Sequence, residues 1–275
     1  MRTYLKMALS VFVALSAFSL SGPLAHAAAI HDAALFTGNT LAANDDESTG
    51  LVNIGFSPNF FGTTYTQLYV NNNGNVTFDA ALSTFTPFSL LSTATPIIAP
   101  FFGDVDTRVG ALTQYGTGTI GGQNVFGVNW INVGYFNQNV DLLNSFQLIM
   151  TDRSDIASGD FDFEFNIDKI QWETGEASGG IGGLGGSSAR AGWSNGVASS
   201  FEIAGSAVNG GLLDGNLSTG LIHNSFNSST LGQYVFHVRN GEVEPPPPGV
   251  PEPISLILLG IGLAGLETIR RRKAQ

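Results

Sequence analysis

From Asp160 to Asp168 the chain reads Asp-Phe-Asp-Phe-Glu-Phe-Asn-Ile-Asp, a strict alternation of polar and apolar residues. A period of two sends Phe161, Phe163, Phe165 and Ile167 to one face and the acids to the other, which the 3.6-residue period of an α-helix cannot do. The stretch is a half-buried β-strand, and the rest of the chain must supply a wall for its rings. Upstream, residues 145–150 read as a second strand, and Asp152, Arg153, Ser154, Asp155, Ser158 and Gly159 between the two supply turn chemistry. The pair predicts a long-looped hairpin. After Asp168 the phase slips, because Ile170 and Trp172 fall on the formerly polar register, which calls for a bulge or bend.

Further strands are expected from Val52, Ile54 and Phe56, and at residues 118–120, 125–133 and 233–238. Between residues 68–70 and 76–78 the run Asn71-Asn72-Asn73-Gly74-Asn75 predicts a tight hairpin turn, since Asn and Gly tolerate positive φ. An apolar segment over 87–102 is punctuated by Pro96 and Pro100, and residues 175–196 read as a flexible Gly-rich loop. A phosphate-cradling loop needs a lysine and a following helix, and that loop has neither. With 35 Gly, 20 Phe and 11 Pro, the composition favours many short strands over helices. The expected fold is all-β, a single antiparallel sandwich-like domain over residues 28–240.

Both ends read as sorting segments. In residues 1–27, Arg2 and Lys6 precede an uncharged run, and Ala25-His26-Ala27 has the small-x-small pattern of signal cleavage. Residues 241–253 form a Pro-rich linker, with four consecutive prolines from Pro245 to Pro248. They lead to Pro251-Glu252-Pro253, an apolar run at 254–266 and the basic cluster Arg270, Arg271, Arg272 and Lys273. That run is shorter than the roughly twenty residues of a comfortable spanning helix, and the basic cluster on its far side would sit in the cytoplasm, leaving the domain outside. The formal charge is −11, and it becomes more negative without the basic termini. Such a domain is repelled by nucleic acid and by anionic membrane faces. Cysteine is absent, so disulfides and thiolate metal sites are excluded.

The chemistry-bearing residues are few. Asp104 and Asp106 bracket one residue, as in loops that present alternate oxygens to Ca²⁺, but Arg108 stands where the third ligand would be. They are the candidate metal ligands; the competing reading is internal, with Arg108 pairing one carboxylate and the other capping a turn. Asn44-Asp45-Asp46-Glu47-Ser48-Thr49-Gly50 is a small acidic patch, read as a solvated loop with cation binding as the lesser alternative. Asp160, Asp162, Glu164 and Asp168 form a carboxylate ladder, expected to be a solvated face that discourages edge aggregation. His31, His223 and His237 share no zinc spacing. No His-Glu-x-x-His occurs, and no catalytic residue is assigned. Trp130, Trp172 and Trp193 are expected in the core and not as a sugar-stacking platform.

Two resemblances join these observations. Pro251-Glu252-Pro253, the apolar run and Arg270-Arg271-Arg272 together resemble the PEP-CTERM sorting signal of Gram-negative bacteria. That resemblance implies an exosortase-type processing enzyme as partner, transient inner-membrane retention and release to the cell surface or extracellular matrix. Tyr69-Val70-Asn71-Asn72-Asn73-Gly74, the stretch from Ala99 to Arg108, Asn144-Ser145-Phe146-Gln147-Leu148, Ile170-Gln171-Trp172 and Ala189-Arg190-Ala191-Gly192-Trp193 resemble the nidogen-like NIDO domain over residues 51–239. The family implies cell–matrix adhesion, to a polysaccharide or protein, and no catalytic residues. The alternatives are a secreted carbohydrate-active enzyme and a self-associating structural matrix component.

Overall fold

The computed structural model describes residues 28–245. Ala25, Ala27, Pro251, Glu252, Pro253, Arg270, Arg271, Arg272 and the apolar run at 254–266 lie outside these residues. The architecture rests on β1 (Gln67–Asn71), β2 (Asn75–Thr77), β3 (Pro96–Phe102), β4 (Gln114–Ile120), β5 (Gln123–Tyr135), β6 (Asn139–Asp152), β7 (Phe161–Lys169), β8 (Arg190–Asn195), β9 (Ser200–Glu202) and β10 (Gln233–Arg239). They form two antiparallel sheets in a sandwich-like arrangement. In the first the order is Asn39–Thr40, β4, β5, β6, β7, β10, Glu242–Val243, and Val105–Asp106 pairs with the end of β5. In the second it is β9, β8, β3, β2, β1, Val52–Asn53.

The core lies between the sheets, and the alternation of β7 builds one wall of it. Phe161, Phe163 and Phe165 are buried while Asp162 and Glu164 face outward. Opposite Phe163 on β10 stands Phe236, stacked at 4.8 Å between ring centroids. Phe101 of β3 closes the sandwich from the other side, 5.3 Å from Phe146 and 5.4 Å from Trp172. Each fully buried ring of this kind contributes about 2–3 kcal/mol of hydrophobic stabilisation. All three tryptophans are core residues, as expected: Trp130 and Trp172 are fully buried and Trp193 nearly so. The indole nitrogens of Trp130 and Trp172 donate to the carbonyls of Asn72 and Val133.

The slip after the alternating stretch is a bulge. Ser145 pairs with Lys169 and Phe146 with Ile167, so Asp168 is the extra residue. Pro100 is accommodated in the same way within β3, at the register shift opposite Ala191, where no ladder donor is required of it. The expected Asn-Gly hairpin joins β1 to β2, and only Gly74 in its turn takes positive φ.

Four expectations need correction. The first strand is two residues, Val52–Asn53, and not a run through Phe56. The Gly-rich region is a tied segment: Gly183 accepts from the amides of Glu173 and Thr174, Ser187 donates to Ser178, and the region ends in β8, inside the second sheet. The carboxylate ladder is not a solvated face. The N-terminal segment lies across it like a strap: Asp168 accepts from the amides of Ala29 and Ile30, and Glu164 is bound by His31 at 2.6 Å. Beneath the strap a row of amides crosses four strands in register, Asn129 to Gln147 to Asn166 to Gln233, each joined to the next by a side-chain hydrogen bond. The strap ends in the 3-10 turn Ala33–Phe36, whose Phe36 is fully buried over Gly127 with Val125 and Ile149. The fourth is the acidic pair, whose two carboxylates are held differently.

Candidate functional site

The hairpin turn between β1 and β2 organises an acidic site from three distant stretches of chain. The Asn72 side-chain amide donates to the carbonyls of Asp45 and Val105, at 2.6 Å each. The Asn73 amide donates to Asp46 Oδ1 at 2.9 Å, while its carbonyl oxygen accepts from the Val105 amide at 2.8 Å. Thr107 completes the clamp, donating to the Asn44 carbonyl and accepting from the Asn44 amide. Two asparagines in one turn therefore lock the loop carrying Asp45 and Asp46 against the segment carrying Asp104 and Asp106.

Asp104 and Asp106 do not act as a pair. Asp106 is fully buried and accepts from the backbone amide and guanidinium of Arg108 and from the Gln138 amide. Burial alone would raise its pKa, but these hydrogen bonds and the Arg108 charge hold it below the ordinary aspartate value. Its lone pairs are committed, which removes it as a ligand candidate and bears out the pairing read from Arg108. Asp104 caps no turn. It is 1% exposed, and neither carboxylate oxygen has a hydrogen-bond partner.

Instead Asp104 turns toward the loop. Ligand-capable oxygens of Asp45, Asp46 and Asp104 lie within 4.8 Å of one another. Asp45 Oδ2 is 3.3 Å from Arg108, and its Oδ1 has no partner. Burial, then the charges of Asp46, Asp45 and Asp106, push Asp104 up to about 8. Burial, then Asp106 and Asp46, push Asp45 up to about 6. Asp46 is raised mainly by burial. The backbone of Gly175 roofs the site so closely that a Cβ there would lie 2.3 Å from Asp104 Oδ2. Sequence reading placed Asp104 but missed its partners; the loop's acidity was the only available signal.

The remaining acids are structural. Asp162 is held by Arg153, Arg239 and His237; burial would raise it, but these three donors keep it below the ordinary value. Asp160 accepts from the Asn240 amide. Glu173, fully buried and not singled out in the sequence, accepts from the amides of Gly210 and Leu212 and anchors that long loop. The histidines are separated by role: His31 in the strap, His237 on Asp162, and His223 on the Asp214 carbonyl.

The sandwich and its asparagine turn agree with a comparison of families, in which the NIDO-related profile matches residues 27–206. The chain belongs to the NIDO-related family. Relatives of this NIDO-related chain include alpha-tectorin of Homo sapiens, 30% identical over 232 residues, and of Mus musculus, 31% identical over the same length. Each alignment covers 73% of this chain and 10% of the relative. Nidogen of Drosophila melanogaster is 28% identical over 167 residues, 50% of this chain and 12% of the relative. The NIDO-related chain thus spans about a tenth of the length of these curated relatives. No solved structure matches it. The PEP-CTERM protein-sorting motif matches residues 249–273. Together the two matches identify an exported, cell-surface protein, and the motif implies processing by exosortase. Among the described residues no helix is long and apolar enough to cross a membrane.

Proposed function

We infer that this NIDO-related protein is a binding module that attaches the cell surface to extracellular matrix, polysaccharide or protein, and that it acts by contact and not by turnover. The observation that carries the reading is the family match over residues 27–206 on the same chain as the sorting motif at 249–273. The commitment of the ladder acids supports it: Asp160, Asp162, Glu164 and Asp168 each hold a structural donor, which argues against their use as a hydrolytic pair. The tail retains the chain transiently at the inner membrane before processing and release.

Co-sedimentation of the purified protein with extracellular material from the producing cells tests the reading. Retention in the pellet is expected, with no soluble sugar released. A protein left wholly in the supernatant would sink the adhesion reading, and release of soluble sugar would replace it with a carbohydrate-active one.

A further inference from the structure

Four carboxylates, Asp45, Asp46, Asp104 and Asp106, meet around one cation, the Arg108 guanidinium. Arg108 is occupied by Asp106 and, at 3.3 Å, by one oxygen of Asp45. Arg108 offsets the Asp104 charge only through space, since neither of the two buried Asp104 oxygens has a donor. Buried polar groups are nearly always satisfied, and an orphaned carboxylate is far more costly than an orphaned amide. An internal role for Asp104, as a turn cap or ion-pair partner, would leave hydrogen bonds in its wake, and there are none.

We propose that Asp45, Asp46 and Asp104 bind a divalent cation of the Ca²⁺ type, which pins the acidic loop to the segment following β3 beneath the Gly175 backbone. Three features carry this. The donor oxygens converge within 4.8 Å, close enough for one ion to touch all three carboxylates. They are oriented in advance: Asn73 holds Asp46, and Asn72 and Thr107 clamp the two backbones, so no loop has to be ordered on binding. The third is an orphan that points into the cluster, the buried Asp104 carboxylate, with Asp45 Oδ1 beside it likewise unpartnered. An all-carboxylate set without His or Cys selects a hard cation. Ca²⁺ suits it better than Mg²⁺, because it tolerates irregular geometry and takes additional carbonyl or water oxygens, whereas Mg²⁺ demands a near-ideal octahedron. The site is independent of what the outer surface adheres to, so it stands or falls apart from the adhesion reading.

The test uses the full chain, purified in mild detergent and stripped with EDTA. Isothermal titration with CaCl₂ is expected to show one ion per chain. A hundredfold excess over the dissociation constant should raise the melting temperature by about 5–10 °C. Asp104→Asn removes the orphaned charge while keeping its shape. It should melt higher than the wild type in EDTA and lose both the heat and the Ca²⁺-dependent shift. Asp46→Asn, with native β circular dichroism, serves as a second variant expected to lose binding, and Asp155→Asn, on a different surface, should leave it intact. No heat and no shift in the wild type would overturn the site, as would Ca²⁺ binding that survives in both Asp104→Asn and Asp46→Asn. A response to Mg²⁺ but not Ca²⁺ would overturn the choice of ion.

Discussion

At Gly74 the backbone has φ +75°, and a Cβ would lie 1.8 Å from the carbonyl oxygen of Phe101. Left-handed strain and overpacking each cost about 1–3 kcal/mol, so Gly74→Ala is expected to destabilise the domain by about 3 kcal/mol or more. A urea midpoint unchanged by the substitution would refute this. A second residue-scale prediction concerns His31. Hydrogen bonding to Glu164, against the lowering effect of burial and helped by Asp32, raises its pKa from 6.5 to about 9. A base whose folded pKa is raised adds stability that is fully present below 6.5 and is lost as pH rises through about 9. The stability gap between wild type and His31→Ala should therefore be clear at pH 6 and largely closed at pH 10. A gap of equal size at both would remove the ionic contribution. The effect is modest, since His31 is about a third exposed and screened by solvent.

The strap across the first sheet is held by a fitted contact as well as by hydrogen bonds. A Cβ on Gly127 would meet the Phe36 ring at 2.6 Å, so ring and glycine occupy one volume. Phe36→Ala should cost about 3–5 kcal/mol by emptying a filled site. Gly127→Ala should cost about 1–3 kcal/mol by overfilling it. Placed in the Phe36→Ala background, Gly127→Ala should become neutral or stabilising, and denaturation of the four proteins in the cycle would read the change of sign. Simple additivity would mean the two positions do not share the space. This element also marks the boundary of what the sequence discloses. The alternation of β7, the asparagine turn, the bulge at Asp168 and the burial of the tryptophans are local patterns, and each was legible. What covers a polar face is not local. The ladder acids look solvated until residues 29–36 are placed upon them, and Asp45 and Asp46 look like a surface loop until Asn72 and Asn73 carry them to Asp104. Periodicity specifies which way a side chain points, but not which distant segment it meets.

For the whole molecule, the address on residues 249–273 lies beyond the sandwich, whose last strand is Glu242–Val243. Changing Pro251-Glu252-Pro253 to three alanines should therefore leave the domain's melting temperature unaltered while shifting the protein from the released to the membrane fraction. Fractionation followed by immunoblotting reads both pools, and release unaffected by the change would detach processing from that motif.

The strap has one more consequence, which concerns time. Residues 29–36 precede every strand they bind: Gly116 and Gly127, Gln147, Glu164 and Asp168 are all made later. In a chain crossing a membrane from its N-terminus, this segment is among the first parts of the domain to reach the outside, yet it cannot find its seat at once. It must wait, unpaired, until β7 has followed it across. Its docking thus marks the arrival of β7, a closure available only once the chain through Asp168 has been delivered.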